Sequence, residues 1–358
     1  MAAKYIEIAR QIKKELRLLG QSGSSRLPSE EEFSKRFDCS RQTVRAALAM
    51  LEEEGLIVKK RGSGSYIADD AVGKSRQIAF IVPDRNEYIY PNIIRDLRYV
   101  IESSGYTLSC YSTENRFIKE RNILTRLYAE RPAGIIIEAV NNVLPCMNTD
   151  IINRINDEGI PLLYMHNSYD VPKDAVCVGQ DNFGGGYELV RYLAKKGHKR
   201  IAGIMKCDVV SGLERYRGCV QACLDLGLDF RESNFYWFSA EMRTRLLDSS
   251  SNILNDFIQY FLSPCTAVIC YNDEIAYRLI RVMQSASIDI PEKMAVVSFD
   301  NSYYCTSGDL GITSLGHDAR AIGTQTAQVM LSMISGKKCR SVNLPWSITE
   351  RESSAKKF

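Results

Sequence analysis

Beyond Gln77 the chain settles into one rhythm that leaves few folds open to it: short apolar runs alternate with amphipathic stretches. Ile78 to Val82 precedes Tyr90 to Ser103, Thr107 to Tyr111 precedes Phe117 to Glu130, and Gly134 to Ile137 and Pro161 to Met165 follow. The alternation continues through Ala175 to Val178, Gly185 to Lys196, Arg200 to Met205, Leu213 to Leu226, Ala267 to Cys270, Glu274 to Ser285 and Ala295 to Phe299. A short, uniformly apolar run is a strand buried on both faces, and the amphipathic stretch after it is the helix that covers a face and carries the chain back. Repeated units of this kind specify parallel sheets wrapped in helices, and this many predict two sheets. The expected fold class is therefore α/β, with a two-lobed region of doubly wound parallel sheets over residues 77–358.

In such sheets ligands bind beyond the C-terminal ends of the strands. Those ends carry Pro83-Asp84-Arg85, leading to Glu87, Tyr88 and Tyr90, and then Glu138, His166-Asn167, Asp181, Lys206, Asn272-Asp273 and Asp300. Carboxylates and amides that bracket neighbouring hydroxyls, cations that donate to ring oxygens, and aromatic faces for C–H groups are the equipment of a sugar site. Several of these residues keep two readings. Glu138 and Lys206 suit either a pocket or a structural ion pair, Asp181 a ligand contact or a helix cap, and Asp273 a ligand contact or a hinge. Arg85 serves an anionic ligand or faces solvent. Gly184-Gly185-Gly186 lacks the spacing of a phosphate loop and fits close helix-to-strand packing better.

The N-terminal part reads differently. Tyr5, Ile8, Ile12, Leu16 and Leu19 fall at helical spacing. Ser29 and Glu32 form a capping-box pair at the start of a second helix that runs to about Phe37, and Ser40 opens a third that Gly55 ends. In the third helix Val44, Ala47, Leu48 and Leu51 make the buried stripe, leaving Arg41, Gln42, Thr43 and Arg45 around its exposed N-terminal end. Arg pairs bidentately with guanine and Gln with adenine, so this end suits a major-groove reader. Two short strands then flank Gly62-Ser63-Gly64, with Lys59, Lys60 and Arg61 at the base of the turn. Helix, turn, helix and hairpin in this order make a winged helix-turn-helix over residues 1–69, joined by a linker at 70–76.

The run LPSEEEFSKRFDCSRQTVRAALAMLEEEGLIVKKRGSGSYIA resembles the DNA-binding domain of the GntR family of bacterial regulators. That resemblance implies that Arg41, Gln42, Thr43 and Arg45 read the major groove, that Glu30 meets a base edge, and that Lys60, Arg61, Gly62, Ser63 and Gly64 form the wing. The second region resembles LacI/GalR effector domains, which share the fold of periplasmic sugar-binding proteins. Its marks are VGQDN (178–182), GHKRIAGI (197–204), ERYRG (214–218), CYNDEIA (270–276) and VVSFDN (296–301). The pairing of the two resembles an arabinose-repressor subfamily, to which EYIYPNIIR (87–95), IIIEA (135–139), GIMKCD (203–208) and ITSLGH (312–317) also correspond. By this resemblance Arg215 holds the sugar, Asn272 and Asp300 are acceptors on the second lobe, and Tyr88, Tyr90, Glu138, His166, Asn167, Lys206 and His317 complete the pocket. His317 equally suits an ordinary loop position.

The implied protein is a repressor that binds operator DNA as a homodimer and is released by a sugar effector, with L-arabinose favoured and another pentose, a nucleoside or a sugar phosphate as the alternative. No catalytic residue, cofactor or metal is expected. Eleven cysteines include no C-x-x-C pair and no histidine at zinc spacing, and the longest apolar runs fall short of the roughly 18 to 20 residues a membrane span needs. Glu7 sits where a signal peptide would be apolar, so the expected location is cytoplasmic. A net charge of +3 does not by itself imply nucleic acid. Two enzyme readings compete. One is a pyridoxal-phosphate domain behind the same kind of head, for which no lysine lies in a recognisable Schiff-base context. The other is sugar hydrolysis by Glu138 and Asp300, whose separation the sequence does not fix.

Overall fold

The computed structural model describes residues 4–21, 26–60, 63–67, 75–318 and 320–355. The chain divides into two compact units, Met1–Arg76 with Ser332–Lys338 and Gln77–Leu331 with Cys339–Phe358. Of the expected linker, residues 70–74 lie outside the described residues.

The first unit is built from α1 (Lys4–Gln21), α2 (Glu30–Arg36), α3 (Arg41–Glu53), β1 (Ile57–Lys60) and β2 (Gly64–Ile67). The Ser29 hydroxyl accepts from the Glu32 N–H and the Glu32 carboxylate accepts from the Ser29 N–H, so the capping box forms in full. Ser40 caps α3 through the Thr43 N–H, and Gly55, at φ 70°, turns the chain out of it. Ile8, Ile12, Leu16, Phe33, Val44, Leu48 and Leu51 bury into one core. Tyr5, assigned to the α1 stripe from its spacing, is instead 37% exposed, and Ala9 is buried in the same turn. The hairpin gains an unanticipated third segment: Leu27 donates its N–H to the Ser65 carbonyl at 2.9 Å, beside an Arg26–Tyr66 bridge.

The second unit has two lobes. Lobe 1 contains β3 (Gln77–Val82), α4 (Tyr90–Ser103), β4 (Thr107–Ser112), α5 (Phe117–Glu130), β5 (Gly134–Ile137), α6 (Thr149–Asp157), β6 (Leu162–Met165) and β7 (Val176–Gln180). Lobe 2 contains α7 (Asn182–Lys195), β8 (Ile201–Lys206), α8 (Val210–Asp225), β9 (Phe235–Phe238), α9 (Ala240–Leu247), α10 (Ile253–Tyr260), β10 (Ala267–Cys270), α11 (Asp273–Ser285), β11 (Ala295–Phe299) and β12 (Thr313–Gly316). The chain then supplies α12 (Ala321–Ile334), returns to lobe 1 for β13 (Val342–Leu344), and ends in lobe 2 with β14 (Ser347–Thr349).

Lobe 1 has the strand order β4-β3-β5-β6-β7-β13, all parallel, and lobe 2 the order β9-β8-β10-β11-β12-β14. The one departure from the expected parallel pairing is β14, which runs antiparallel to β12 because a short connection brings it in from the other lobe. Both sheets switch direction beside their first strand, which opens a crevice at the strand ends. Register levels those ends: Ile81 pairs with Ile137 in lobe 1, and Cys270 with Ile204 in lobe 2.

The glycine triplet packs closely, against the Phe299 ring at the end of β11, where a Cβ on Gly185 would lie 3.0 Å away, and against α8. A Cβ on Gly186 would lie 2.0 Å from the Arg215 carbonyl oxygen of α8, and one on Gly185 would meet Trp346 at 2.8 Å. The Asp181 carboxylate caps α7 by accepting from the Gly184 N–H at 2.9 Å.

Within lobe 1 a buried carboxylate fastens the loop after β5. Glu120 accepts from the Val140 N–H at 3.3 Å, the Asn148 amide at 2.8 Å and the Tyr169 hydroxyl at 3.1 Å. Burial, only partly offset by these donors, pushes its pKa up to about 7. The folded protein thus keeps a proton that the unfolded chain releases near pH 4.5. This contribution to stability is complete below pH 4.5 and is lost as pH rises through about 7. Glu120→Gln should remove that loss, worth about 3 kcal/mol at full deprotonation. Thermal unfolding at pH 5 and pH 8 checks this: the wild type should drop more between the two values than the variant does.

Candidate DNA-reading face and effector cleft

On the first unit, Arg41, Gln42 and Arg45 are exposed at the start of α3, as sequence spacing required. The Thr43 hydroxyl is 2.7 Å from the Ser40 hydroxyl. Arg45 is held by Glu30 at 2.9 Å and Arg41 by Glu31 at 2.7 Å. Exposed pairs of this kind are worth at most about 1 kcal/mol, so the guanidiniums are oriented yet easily surrendered to a stronger acceptor. Glu30, expected at a base edge, is thus placed where it can position Arg45. On the hairpin Lys60 lies 4.8 Å from the centre of the Tyr66 ring, and the Ser63 and Tyr66 hydroxyls are 2.6 Å apart. Ser63 and Gly64 are exposed; Arg61 and Gly62 lie outside the described residues.

Between the two lobes of the second unit lies a cavity of about 440 Å³, within the range of small-molecule sites. All ten residues assigned to a pocket from the sequence line it: Tyr88, Tyr90, Glu138, His166, Asn167 and Lys206, together with Arg215, Asn272, Asp300 and His317. Lobe 1 contributes through the ends of β3, β5 and β6, and lobe 2 through β8, β10, β11 and the face of α8.

The lining is a network of alternating charge. Glu138 accepts from the Tyr90 hydroxyl at 2.9 Å and lies 2.9 Å from His166 Nδ1. Burial opposes a charge on His166, but the Glu138 carboxylate outweighs it and raises the imidazole pKa. Burial lowers that of His317, helped by His166, and His317 Nδ1 is buried without a hydrogen-bond partner among the described residues. Tyr88 donates to the Asp300 carboxylate across the cleft. Burial first, then the nearby carboxylates, raise both tyrosines well above their ordinary values and keep them as donors. The Glu138–Lys206 pair does not form as a contact; the partner nearest the Lys206 ammonium is Asp208, at 3.7 Å. Burial opposes charge on Lys206, yet Tyr271 and the surrounding carboxylates raise its pKa, so it stays cationic.

Arg215 is 4% exposed. Its guanidinium donates to Asn182 Oδ1 at 3.0 Å and to the Tyr271 carbonyl, and it lies 3.6 Å from the Asp300 carboxylate. The Phe299 and Tyr271 rings stand 4.1 and 4.8 Å from it. Four lining residues have left-handed backbone, Asn115 at φ 55°, His166 at φ 60°, Asp300 at φ 98° and Asn301 at φ 47°, a conformation that costs of order 1–3 kcal/mol and concentrates at binding sites. Asn272 Oδ1 caps α11 through the Ile275 N–H at 3.1 Å, leaving its NH2 as the uncommitted group. Asp273, left open between hinge and ligand, is fully buried beneath the cleft. It accepts from the Ser298 and Ser314 hydroxyls and the Ser302 N–H, and burial followed by Asp300 pushes its pKa up to about 6.

Sequence reasoning missed Arg243 and Tyr271. Arg243 bridges Glu87 of lobe 1, at 3.4 Å, and Glu274 of lobe 2. It lies on α9 behind the unforeseen strand β9, and no periodicity marks it. Tyr271 was legible, since it directly follows the apolar run of β10. Among the described residues no cluster of His, Cys, Asp or Glu could hold a metal ion, and no helix is long and apolar enough to cross a membrane.

Residues 4–67 match the family model described as bacterial regulatory proteins, gntR family, and residues 190–354 match that of the periplasmic binding protein-like domain. The arabinose metabolism transcriptional repressor of Halalkalibacterium halodurans is 29% identical, over 94% of this chain and 91% of its own. That of Geobacillus stearothermophilus is 28% identical, over 92% and 91%. The fold matches a complex of the transcriptional regulator CelR with cellobiose, with a TM-score of 0.68 at 20% identity, covering 91% of this chain and all of that one. A LacI-type regulator from Alkaliphilus metalliredigens, complexed with D-xylulofuranose, matches with a TM-score of 0.66 at 19% identity over 79% of this chain and all of that one.

Replacing Arg215 would leave Asp300 and the Tyr271 carbonyl without their cation. Arg215→Ala should therefore destabilise the second unit by about 3–5 kcal/mol, read from urea unfolding, a cost characteristic of a broken buried pair. A loss below about 1 kcal/mol would mean that the guanidinium is not integrated as described.

Proposed function

From the premise that this chain joins a gntR-family DNA-binding domain to a periplasmic-binding-protein-like domain, and is a transcriptional regulator rather than an enzyme, we propose that it is a repressor released from its operator by a neutral sugar, L-arabinose before others. The observation that carries this reading is the enclosed cleft at the strand ends, lined by hydroxyl-matching donors and acceptors together with aromatic rings. Its charge balance bears on the runner-up effectors. The carboxylates Glu87, Glu138, Asp300 and Asp318 outnumber the cations Lys206, Arg215 and Arg243, all three of which already face a carboxylate. A phosphate would meet this acidic surplus at close range, whereas a neutral polyol can bridge carboxylate and cation alike. The names of the two relatives aligned over most of the chain favour L-arabinose within that class.

In this reading sugar holds the lobes closed, and closure changes how two chains of a homodimer present their α3 helices to successive half-sites. Induction requires that sugar favour the state that binds DNA poorly. A coupling of about 1–3 kcal/mol weakens operator binding roughly 5- to 150-fold, and operator weakens sugar binding by the same factor. At the DNA, Arg41, Gln42, Thr43 and Arg45 address bases while Lys60 and the hairpin turn address the backbone.

A calorimetric and thermal-shift panel of L-arabinose, other pentoses, hexoses, nucleosides and sugar phosphates tests the effector. Saturable binding of L-arabinose, with release of operator in a gel-shift titration, is expected; binding only of a sugar phosphate would overturn the charge argument. Arg41→Ala should weaken operator binding by at least about tenfold, the cost of losing one base contact, and leave sugar binding unchanged. Equal operator affinity would remove Arg41 from the reading face.

A further inference from the structure

Helix α8 starts with a cap of unusual origin. Its N-cap residue is Val209, whose side chain cannot accept a hydrogen bond. A helix start has backbone N–H groups that find no partner within the helix. Here two of them are met from the opposite lobe: Val210 N–H donates to Asn142 Oδ1 at 3.0 Å, and Ser211 N–H donates to Asn167 Oδ1 at 3.1 Å. The Gly212 N–H turns back to the Val209 carbonyl at 3.1 Å.

Both sides of this junction are fixed within their own lobes. The Asn142 amide also donates to the Ser168 carbonyl at 3.4 Å, and its loop is the one that Glu120 fastens through Val140. On the other side, a Cβ on Gly212 would fall 2.0 Å from the Lys206 carbonyl, so the first turn of α8 is seated directly on the end of β8. Neither partner can follow the other if the lobes part. Opening the cleft must uncap α8.

We propose that Asn142 and Asn167 together form a helix cap supplied across the cleft, which latches the lobes closed, and that Asn142 tunes effector affinity without touching the effector. Asn142 faces a separate groove, shared with Leu144, Ser168 and Val210, and does not line the effector cavity. The apparent affinity of a ligand scales with the fraction of protein in the binding-competent state, so a weaker latch lowers affinity with every effector contact intact. The proposal rests on the reading that effector binds the closed cleft, and its test has an arm independent of effector identity.

That arm is amide hydrogen exchange of the segment Lys206–Leu213 in the full chain without sugar, followed by mass spectrometry. Asn142→Ala should speed exchange there by up to about fivefold, the factor corresponding to loss of one side-chain cap. Asn142→Asp retains the accepting oxygen and should stay close to wild type. In calorimetry with L-arabinose, Asn142→Ala should bind more weakly, by a factor that multiplies with the exchange acceleration to about fivefold, and Asn142→Asp at or near wild-type strength, while sugar-free operator binding of Asn142→Ala tightens by no more than the exchange factor. Unchanged exchange and affinity in Asn142→Ala, or an Asn142→Asp as impaired as Asn142→Ala, would overturn the latch. If wild type itself fails to bind L-arabinose, the effector assignment falls, and the exchange arm still decides the latch. Should Asn142→Ala not fold, Asn142→Ser, whose shorter side chain withdraws the acceptor, takes its place in both arms.

Discussion

Taking a guanidinium out of water costs several kcal/mol unless every face of it is met, and the second unit is organised around meeting that demand for Arg215. The partners come from distant parts of the chain: Asn182 from the first turn of α7, the Tyr271 carbonyl from the end of β10, Asp300 from the end of β11, and rings from Phe299 and Trp346. Trp346 sits on the last passage between lobes and donates its indole N–H to the Asp181 carbonyl on an earlier one. One buried cation therefore ties together the hinge, the lobe 2 strand ends and the floor of the cleft. Asp300, which neutralises Arg215, also receives the Tyr88 hydroxyl from lobe 1. The cation's neutralisation and the contact between lobes cannot be adjusted separately, because the same carboxylate serves both.

The head shows the opposite economy. Arg41 and Arg45 are exposed and paired with the acidic first turn of α2, where carboxylates also favour the helix N-terminus. These side chains are oriented but not committed, so in the proposed DNA-reading role exchanging a carboxylate for phosphate or guanine would cost little. Glu30 and Glu31 thus orient the two arginines without needing any base contact of their own.

Features set by local chemistry were legible in the sequence. The capping box at Ser29 and Glu32, the Ser40 cap, the Gly55 stop and the buried stripe of α3 all follow from residues a few positions apart. The strand-end residues that line the cleft were legible for a related reason: parallel sheets oblige the chain to emerge at the same edge, so position along the strand foretells location. What escaped depends on contacts remote in sequence. Nothing near Arg243 announces Glu87, some 150 positions earlier, and the antiparallel course of β14 is decided by β12 and the hinge. The segment Phe235–Phe238 is apolar enough for a strand, but its brevity and the Trp237 and Tyr236 side chains hide it among loop aromatics. Asn142 reads as a turn residue, and only the uncapped start of α8 in the other lobe gives it a further role.

The threading of the chain between lobes has a consequence for the order in which the protein comes into being. Lobe 1 lacks its edge strand until Val342–Leu344 is made, and lobe 2 lacks its own until Ser347–Thr349 follows. A chain emerging from the ribosome at about 5–20 residues per second would release the first unit, with its separate core, well before either lobe could be completed. For that interval a nascent regulator carries a reading head whose sensor does not yet exist, so its grip on DNA would be outside the control of any sugar.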